Sequence, residues 1–260
     1  MAAPWPPGTE RRLITRCEGQ GRVVEEAIAT FAHEGTGRTV RLPHVVVHDG
    51  GEDRYYFDGA TVLVQAGLLD DRGLPVCGAE QADKALNPRG LPTTELMGRW
   101  AVSVDDVAPP YAGAPPAGDP ATVLDEHLAA EFAHHDIDKT MATMAPDPYL
   151  NHVPVMTGGV GWDEVHRFYK HHFIPTLPAD MAAAPVARTT TADRVIDELM
   201  VTYTHDREMD ALIPGVPPTG RKAELPHAVV CTFADGRLES EHIYWDQALA
   251  LRQLGVLEGS

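Results

Sequence analysis

Residues 241–246 combine three polar groups that could carry acid/base chemistry. In a β-strand, His242, Tyr244 and Asp246 would project from one face of this segment. An imidazole, a phenol and a carboxyl group on one face could move a proton and stabilise a developing oxyanion. We therefore predict Asp246 and Tyr244 as catalytic residues and His242 as a substrate-binding residue. The alternative is that this face meets solvent or the N-terminal half, with Trp245 packed inside.

A second candidate group follows a predicted strand. His205, Asp206 and Glu208 lie within four residues of one another. Carboxylates beside a histidine can orient its ring and tune its protonation, as a catalytic base requires. We predict His205 as a catalytic partner of Asp246, with the two carboxylates binding substrate. A solvated strand end is the alternative.

Further candidate residues lie at 152–169, before both groups, and at 227, between them. His152 is predicted to be catalytic, because Asn151 and Pro154 would hold it rigidly in a turn. The other candidates are predicted to bind substrate. They are Trp162, His166 and Tyr169, which share helical spacing and could equally be core residues, and His227.

Thirteen histidines raise the question of a metal site. None of the histidines in the predicted helices shows the HxxxH spacing of a helical zinc motif. We predict no metal and no other cofactor. The alternative is one zinc or iron ion held by His152, His205 and His242.

The elements that would position these groups follow a proline- and glycine-rich linker at residues 107–120. Apolar spacing predicts a long helix over 123–144, and a second helix starts at Gly161 and stops at Pro175. Alternating segments at 189–204, 221–233 and 237–246 predict antiparallel strands. Residues 121–260 are therefore predicted to form a complete α+β domain.

The first part of the chain repeats the second half of that domain. Residues 36–47 match residues 219–230 without a gap, and shorter matches flank them on both sides. Residues 1–106 are therefore predicted to form a truncated half-repeat, with three strands and a helix at 20–70 and a helical segment at 78–100. Such a sheet needs a partner surface, so we expect it to pack on the sheet of the complete domain. A homodimer is compatible with this arrangement.

Four short motifs in the last 45 residues resemble the SnoaL-like polyketide cyclases of the nuclear transport factor 2 (NTF2)-like superfamily. They are the PPTG turn at 217–220, the DG hairpin at 235–236, the strand ending at Asp246 and the QLG helix end at 253–255. The resemblance implies a cone built from a curved antiparallel sheet and N-terminal helices, with a pocket between them. It also implies that Asp246 is the acid/base and that no cofactor is needed.

A narrower resemblance is to proteins labelled carboxymethylenebutenolidase-like. The segments that carry it include Asn151-His-Val-Pro154, Thr204-His-Asp206 and His242-Ile-Tyr-Trp-Asp-Gln247. None of the three cysteines lies in a G-x-C-x-G elbow, so the label does not imply a cysteine nucleophile here.

Composition narrows the class of protein. The net charge of -17 and the scattered basic residues argue against nucleic-acid binding. No apolar run is long enough to cross a membrane. The three cysteines show no CxxC spacing, which fits free thiols in a reducing compartment. We therefore expect a cytoplasmic protein.

Together these patterns predict a small-molecule enzyme of cyclase or isomerase type acting on a polyketide-like ester, lactone or enol. A lactone or metal-assisted hydrolase is one alternative. A non-catalytic module that binds a ligand is the second.

Overall fold

The computed structural model describes residues 4–70, 74–87, 89, 108–111 and 118–257. Its first half forms a four-stranded antiparallel sheet in the order β1-β2-β3-β4. The elements are β1 (Glu10–Gly19), β2 (Arg22–Ala32), β3 (Thr39–Asp49), β4 (Glu52–Tyr56), α1 (Gly59–Gln65) and α2 (Ala82–Ala85).

The second half forms a six-stranded sheet with helices in front of it. The strand order is β6-β5-β10-β9-β8-β7, and only the pairing of β5 with β10 is parallel. The strands are β5 (Met144–His152), β6 (Thr157–Val160), β7 (Ala182–Thr190), β8 (Arg194–Thr204), β9 (Lys222–Ala234) and β10 (Arg237–Tyr244). The α-helices are α3 (Pro120–Leu128), α4 (Ile137–Ala142), α5 (Trp162–Phe168) and α6 (Gln247–Gln253). This layout confirms the predicted α+β class. No helix in the described ranges is long and apolar enough to cross a bilayer.

The predicted three strands and helix at 20–70 are confirmed as β2, β3, β4 and α1, and a fourth strand, β1, precedes them. The additional strand β1 pairs with β2 as β7 pairs with β8. Its sequence, ERRLITRCEG, is rich in charge because β1 is an edge strand. The predicted strand over 189–204 is in fact the end of β7 and all of β8. Pro185 is accommodated on β7 because this strand is also an edge and has a bulge there.

The predicted helix over 123–144 is interrupted. After α3 the chain forms a π-helical segment (Ala129–His134), and His135 then takes a left-handed backbone conformation. Asp136 caps α4 by accepting a hydrogen bond from the Lys139 backbone N–H at 3.0 Å. The predicted helix after Gly161 is confirmed as α5, a π-helical segment (Tyr169–Phe173) and a final 3-10 turn. Most of the predicted helical segment at 78–100 lies outside the described residues, and α2 falls within its described part.

The two sheets pack together through reciprocal contacts between repeated residues. Glu26 on β2 accepts hydrogen bonds from His242 Nδ1 and Tyr244 Oη, both at 2.7 Å. Its counterpart in the repeat, Glu198 on β8, accepts bonds from two different side chains. These are Arg54, which reaches both carboxylate oxygens at 2.7 Å, and Tyr56, at 2.6 Å. The half-repeat therefore packs on the larger sheet by approximate twofold exchange of equivalent side chains.

A second exchange joins the ends of helices α1 and α6. Asp58 caps α1 and also accepts the Gln247 N–H at 2.8 Å. Asp246 caps α6 and also accepts the Gly59 N–H at 3.0 Å. A Cβ atom at position 59 would lie 3.1 Å from the Asp246 carboxylate, so glycine permits this close approach. Each aspartate therefore satisfies N–H groups of both helices.

These contacts predict that the two halves stay together after the chain between them is cut. A protease site inserted within the predicted linker, residues 107–120, should yield two fragments that co-elute in gel filtration without denaturant. Their shared buried core and the hydrogen-bonded side-chain pairs between the sheets would hold them. Elution as two separate folded fragments would contradict this packing.

Candidate functional site

A cavity lies between the six-stranded sheet and the helical segments, on the face of the larger sheet that points away from the half-repeat. Its volume is about 70 Å³. The sheet contributes inward side chains of neighbouring strands: Leu150 and His152 of β5, Leu199 and Val201 of β8, His227 and Val229 of β9, and Glu241 and Ile243 of β10. Ala183 of the edge strand β7 adds to this sheet lining, and the cover consists of Leu128, Glu131, Phe132, Tyr169, Phe173, Met181 and Leu212. Most of these side chains are apolar, which favours a ligand with little charge.

The two π-helical segments supply the polar part of the cover. Glu131 and Phe132 come from the first segment, and Tyr169 and Phe173 come from the second. A π-helical turn changes the direction of the side chains that follow it, and such turns occur frequently at functional sites. The interruption of the long predicted helix therefore places a carboxyl group in the cavity wall.

Four buried polar side chains form a connected group, His127, Glu131, Tyr169 and Glu241, of which the last three line the cavity. His127 Nε2 lies 3.0 Å from Glu131 Oε1 and 3.6 Å from Glu241 Oε2. The Tyr169 hydroxyl donates to Glu241 Oε2 at 2.9 Å. The second imidazole nitrogen, His127 Nδ1, lies 2.7 Å from Thr143 Oγ1. We call these four residues the carboxylate cluster.

In the carboxylate cluster, the pKa values of the two glutamates are shifted in opposite directions. Burial raises the pKa of Glu131, and the nearby Glu241 raises it further, against the opposing effect of His127. Burial also acts to raise the pKa of Glu241, but His127 and the hydrogen bond from Tyr169 lower it overall. Burial opposes charge on His127, yet the two carboxylates raise its pKa to about 10. The pKa values of the two neighbouring glutamates are thus shifted apart, upward for Glu131 and downward for Glu241. Two carboxyl groups with separated pKa values are suited to different acid and base roles.

Two neutral histidines line the same cavity. His152 Nδ1 lies 3.3 Å from the Thr157 carbonyl, and His227 Nδ1 lies 3.0 Å from the Leu225 carbonyl. Burial lowers the pKa of both imidazoles to about 4. Trp245 contacts both rings, with centroid distances of 5.5 Å to His152 and 5.4 Å to His227.

Three of the predicted site residues therefore lie at the cavity: His152, Tyr169 and His227. The expectation that His152 sits in a turn was wrong. It is the last residue of β5, where Asn151 and His152 pair with His242 and Ile243 of β10.

The predicted orientation of β10 was wrong, and its polar face packs on the N-terminal half instead. His242 and Tyr244 face the half-repeat and bind Glu26, whereas Glu241 and Ile243 face the cavity. Tyr149 also contacts His242, at 3.1 Å between its hydroxyl and Nε2. His242 and Tyr244 therefore join the two sheets.

The predicted place of Asp246 in the cavity was also wrong. Its carboxylate accepts N–H groups from Gly59, Ala248 and Leu249, which makes it a helix cap at the junction of the two halves. We expect Asp246→Ala to lower the free energy of unfolding by about 1–2 kcal/mol, the usual cost of losing an N-cap. Chemical denaturation measures this change. Because this substitution does not change the residues that line the cavity, any reaction catalysed there should keep its rate per folded molecule within about twofold of wild type. Loss of turnover with unchanged stability would contradict the assignment as a cap.

The remaining predicted residues do not meet at the cavity. His205 contacts Thr219 Oγ1 at 3.3 Å, and Asp206 forms an ion pair with Arg207 at the surface. Glu208 is exposed, and Trp162 donates its indole N–H to the Pro109 carbonyl. His166 is buried elsewhere, beside a surface groove that also contains Asp136 and Lys170.

The structure does not bring His152, His205 and His242 together as a metal site. In the described part of the chain, the group with ligand geometry is His127, Glu131 and Glu241, whose ligand atoms lie within 4.8 Å of one another. His127 and Glu131 were not identified from the sequence, because only the spacing of the apolar residues in the predicted helix 123–144 was considered and not its polar residues. Their i,i+4 spacing on that predicted helix was the available signal.

Comparison with known proteins agrees with this layout. Residues 125–241 match the SnoaL-like domain model. No functionally curated protein matches the chain.

Several solved structures are also similar over about half of the chain. Wild-type IdmH from Streptomyces antibioticus, described as a candidate polyketide cyclase, has 28% identity and a TM-score of 0.40, covering 54% of this chain and all of that one. A candidate SnoaL-like polyketide cyclase from Jannaschia sp. CCS1 has 18% identity and a TM-score of 0.45, covering 56% and 97%. An NTF2-like protein of unknown function from Burkholderia pseudomallei has 23% identity and a TM-score of 0.41, covering 53% and 98%. Residues 125–241 of this chain are thus similar to SnoaL-like domains.

Proposed function

We propose that the cavity transfers a proton at the carbon next to a carbonyl group of a compact, largely apolar compound. One observation carries this proposal. Glu131 and Glu241 are buried side by side in the cavity wall, and their pKa values are shifted in opposite directions. A protonated and an ionised carboxyl group side by side form an acid/base pair.

In this reaction Glu241 acts as the base. Its carboxylate removes the proton from carbon, and the electron pair of that C–H bond moves to form an enolate. Glu131, whose pKa is raised by burial and by the charge of Glu241, would act as the acid: it donates a proton to the enolate oxygen and gives the enol. Reprotonation at a different carbon would complete an isomerisation, and attack of the enol carbon on a second carbonyl would complete a cyclisation.

The rest of the carboxylate cluster supports this transfer. His127 lies between the two glutamates and stabilises negative charge on either one. The Tyr169 hydroxyl bonds to Glu241 and fixes the direction of its carboxylate. The apolar side chains around the ligand exclude water, which strengthens these electrostatic interactions.

Deuterium exchange into cyclohexanone tests the proposal without knowledge of the natural substrate. In heavy water, the wild-type protein should accelerate deuterium incorporation next to the carbonyl, as followed by proton NMR. Heat-denatured protein is the control for general catalysis by exposed carboxylates. Cyclohexanone that protects the protein from thermal unfolding but exchanges at the buffer rate would contradict the proposal. That result would favour a ligand-binding module.

A metal-assisted hydrolase is the second candidate function, and the geometry of His127, Glu131 and Glu241 is the observation that favours it. One imidazole and two carboxylates are a common donor set for zinc or iron. A bound ion would activate water for attack on a lactone, the activity suggested by the carboxymethylenebutenolidase-like resemblance. Elemental analysis of the purified protein tests this candidate. Stoichiometric metal that is lost in His127→Ala would support it, and its absence after incubation with zinc or iron(II) would remove it.

A further inference from the structure

The two cavity histidines present hydrogen-bond acceptors. The carbonyl oxygens of Thr157 and Leu225 can only accept, so the Nδ1 atoms of His152 and His227 must donate to them. A neutral imidazole carries one proton, which leaves Nε2 of each ring with a lone pair. The hydrogen bonds of these two rings within the described ranges are both made through Nδ1.

The half-repeat shows what such an acceptor binds. His44 aligns with His227 in the repeat, and its Nδ1 lies 3.2 Å from the Leu42 carbonyl. Its Nε2 accepts a hydrogen bond from Arg11 Nε at 3.2 Å. Trp5 covers this histidine, with 4.6 Å between the ring centroids. In the first copy, therefore, side chains of the protein itself fill the position that the second copy leaves as a cavity.

We propose that the ligand of the cavity carries a hydroxyl group, as an enol or a phenol, that donates to His227 or His152. This hydroxyl takes the place that Arg11 has on His44. A buried acceptor without a donor is costly, so the site should discriminate strongly against a ligand of the same shape that lacks the hydroxyl. The inference rests on the proposed function in one respect: both place the ligand in the same cavity.

An imidazole that accepts a hydrogen bond from the ligand hydroxyl would also favour the proposed proton transfer. Protonation of the enolate oxygen by Glu131 creates an O–H group inside the cavity. A lone pair on an imidazole Nε2 would bind that hydroxyl and stabilise the enol relative to the ketone. The cavity is small, so a ring-sized ligand requires movement of the flexible Met181 in its lining.

Binding of phenol and toluene tests this inference, since the two molecules have nearly the same shape. Calorimetry on the full-length protein should show phenol binding at least about tenfold more tightly than toluene. His227→Phe keeps an aromatic ring against Trp245 but removes its acceptor, and His152→Phe makes the same change in the second ring, so most of this preference should disappear in one of the two variants. His44→Phe is the matched control in the half-repeat and should retain it. Equal affinity for the two probes, or no binding of either up to the solubility limit of toluene, would overturn the inference.

Nitrogen-15 NMR of the histidine side chains gives a second test. It uses the wild-type protein and therefore does not depend on whether a variant folds. His152 and His227 should each show a protonated Nδ1 and an unprotonated Nε2 near neutral pH. A protonated Nε2 on both rings would overturn the inference. These binding and tautomer measurements do not depend on turnover. Failure of the proposed function would instead appear as absent deuterium exchange with the phenol preference intact.

Discussion

Glu241→Gln is expected to slow deuterium exchange into cyclohexanone by at least about 100-fold, the usual contribution of a general base. Glutamine has the same shape as glutamate and can still accept the Tyr169 hydrogen bond, but it cannot take up a proton. The folded structure should therefore persist, as checked by circular dichroism. Proton NMR of the exchange reaction provides the rate.

Glu239→Gln is the matched control for this variant. Glu239 lies on the same strand, but its side chain is partly exposed and pairs with Arg89. Its exchange rate should equal that of wild type. An unchanged rate in Glu241→Gln, or an equal loss in both variants, would remove Glu241 as the base.

Glu26→Ala is expected to cause the largest loss of stability, about 3–5 kcal/mol, because it leaves His242 buried without its charged partner. Glu26 and His242 are both almost fully buried, so solvent screens their interaction little. The Tyr244 hydroxyl loses its acceptor as well. Urea denaturation followed by tryptophan fluorescence measures the change.

The pH dependence of this loss has a definite sign. Burial acts to raise the pKa of Glu26, but His242 and Tyr244 lower it overall from 4.5. The stability that Glu26 contributes should therefore be present above about pH 4.5 and should disappear as the pH falls further. Glu25→Ala, which changes the neighbouring and more exposed glutamate, should cost about 1 kcal/mol or less. Equal losses in the two variants would contradict a special role for the buried pair.

The sequence predicted the architecture better than the cavity. The gapless match of 36–47 with 219–230 identified the repeat, and the structure shows equivalent strands there. Strand β1 escaped prediction because its charged, solvent-facing residues obscure the alternation. Strand β5 escaped because it pairs in parallel with β10 over a large sequence separation, which no local pattern reveals.

The site was predicted only in part. Alternation of polar and apolar residues defines the two faces of a strand, but it does not say which face lines a cavity. For β10 the more polar face was chosen, and it proved to be the contact with the half-repeat. A single glutamate among apolar residues on the opposite face, Glu241, was the more informative signal, since a carboxyl group is seldom buried without a purpose. The helix caps Asp58 and Asp246 also show that a repeated aspartate can serve the fold.

Within the described residues, the two copies differ in what covers the sheet face that points away from the other half. In the half-repeat, Trp5 and neighbouring aromatic rings cover the sheet face that corresponds to the cavity face. In the second half, helical segments cover that face and leave a cavity whose lining includes Glu131, Tyr169 and Glu241 of the carboxylate cluster. The first copy thus supplies support, whereas the second copy supplies the candidate site.

The most direct test is carbon-13 NMR of the side-chain carboxyl groups in protein labelled at glutamate. Signals of Glu131 and Glu241 can be assigned from their glutamine variants. Near neutral pH, we expect a protonated Glu131 beside an ionised Glu241. Two fully ionised carboxylates that titrate together at ordinary acidic pH would contradict the proposed acid/base pair.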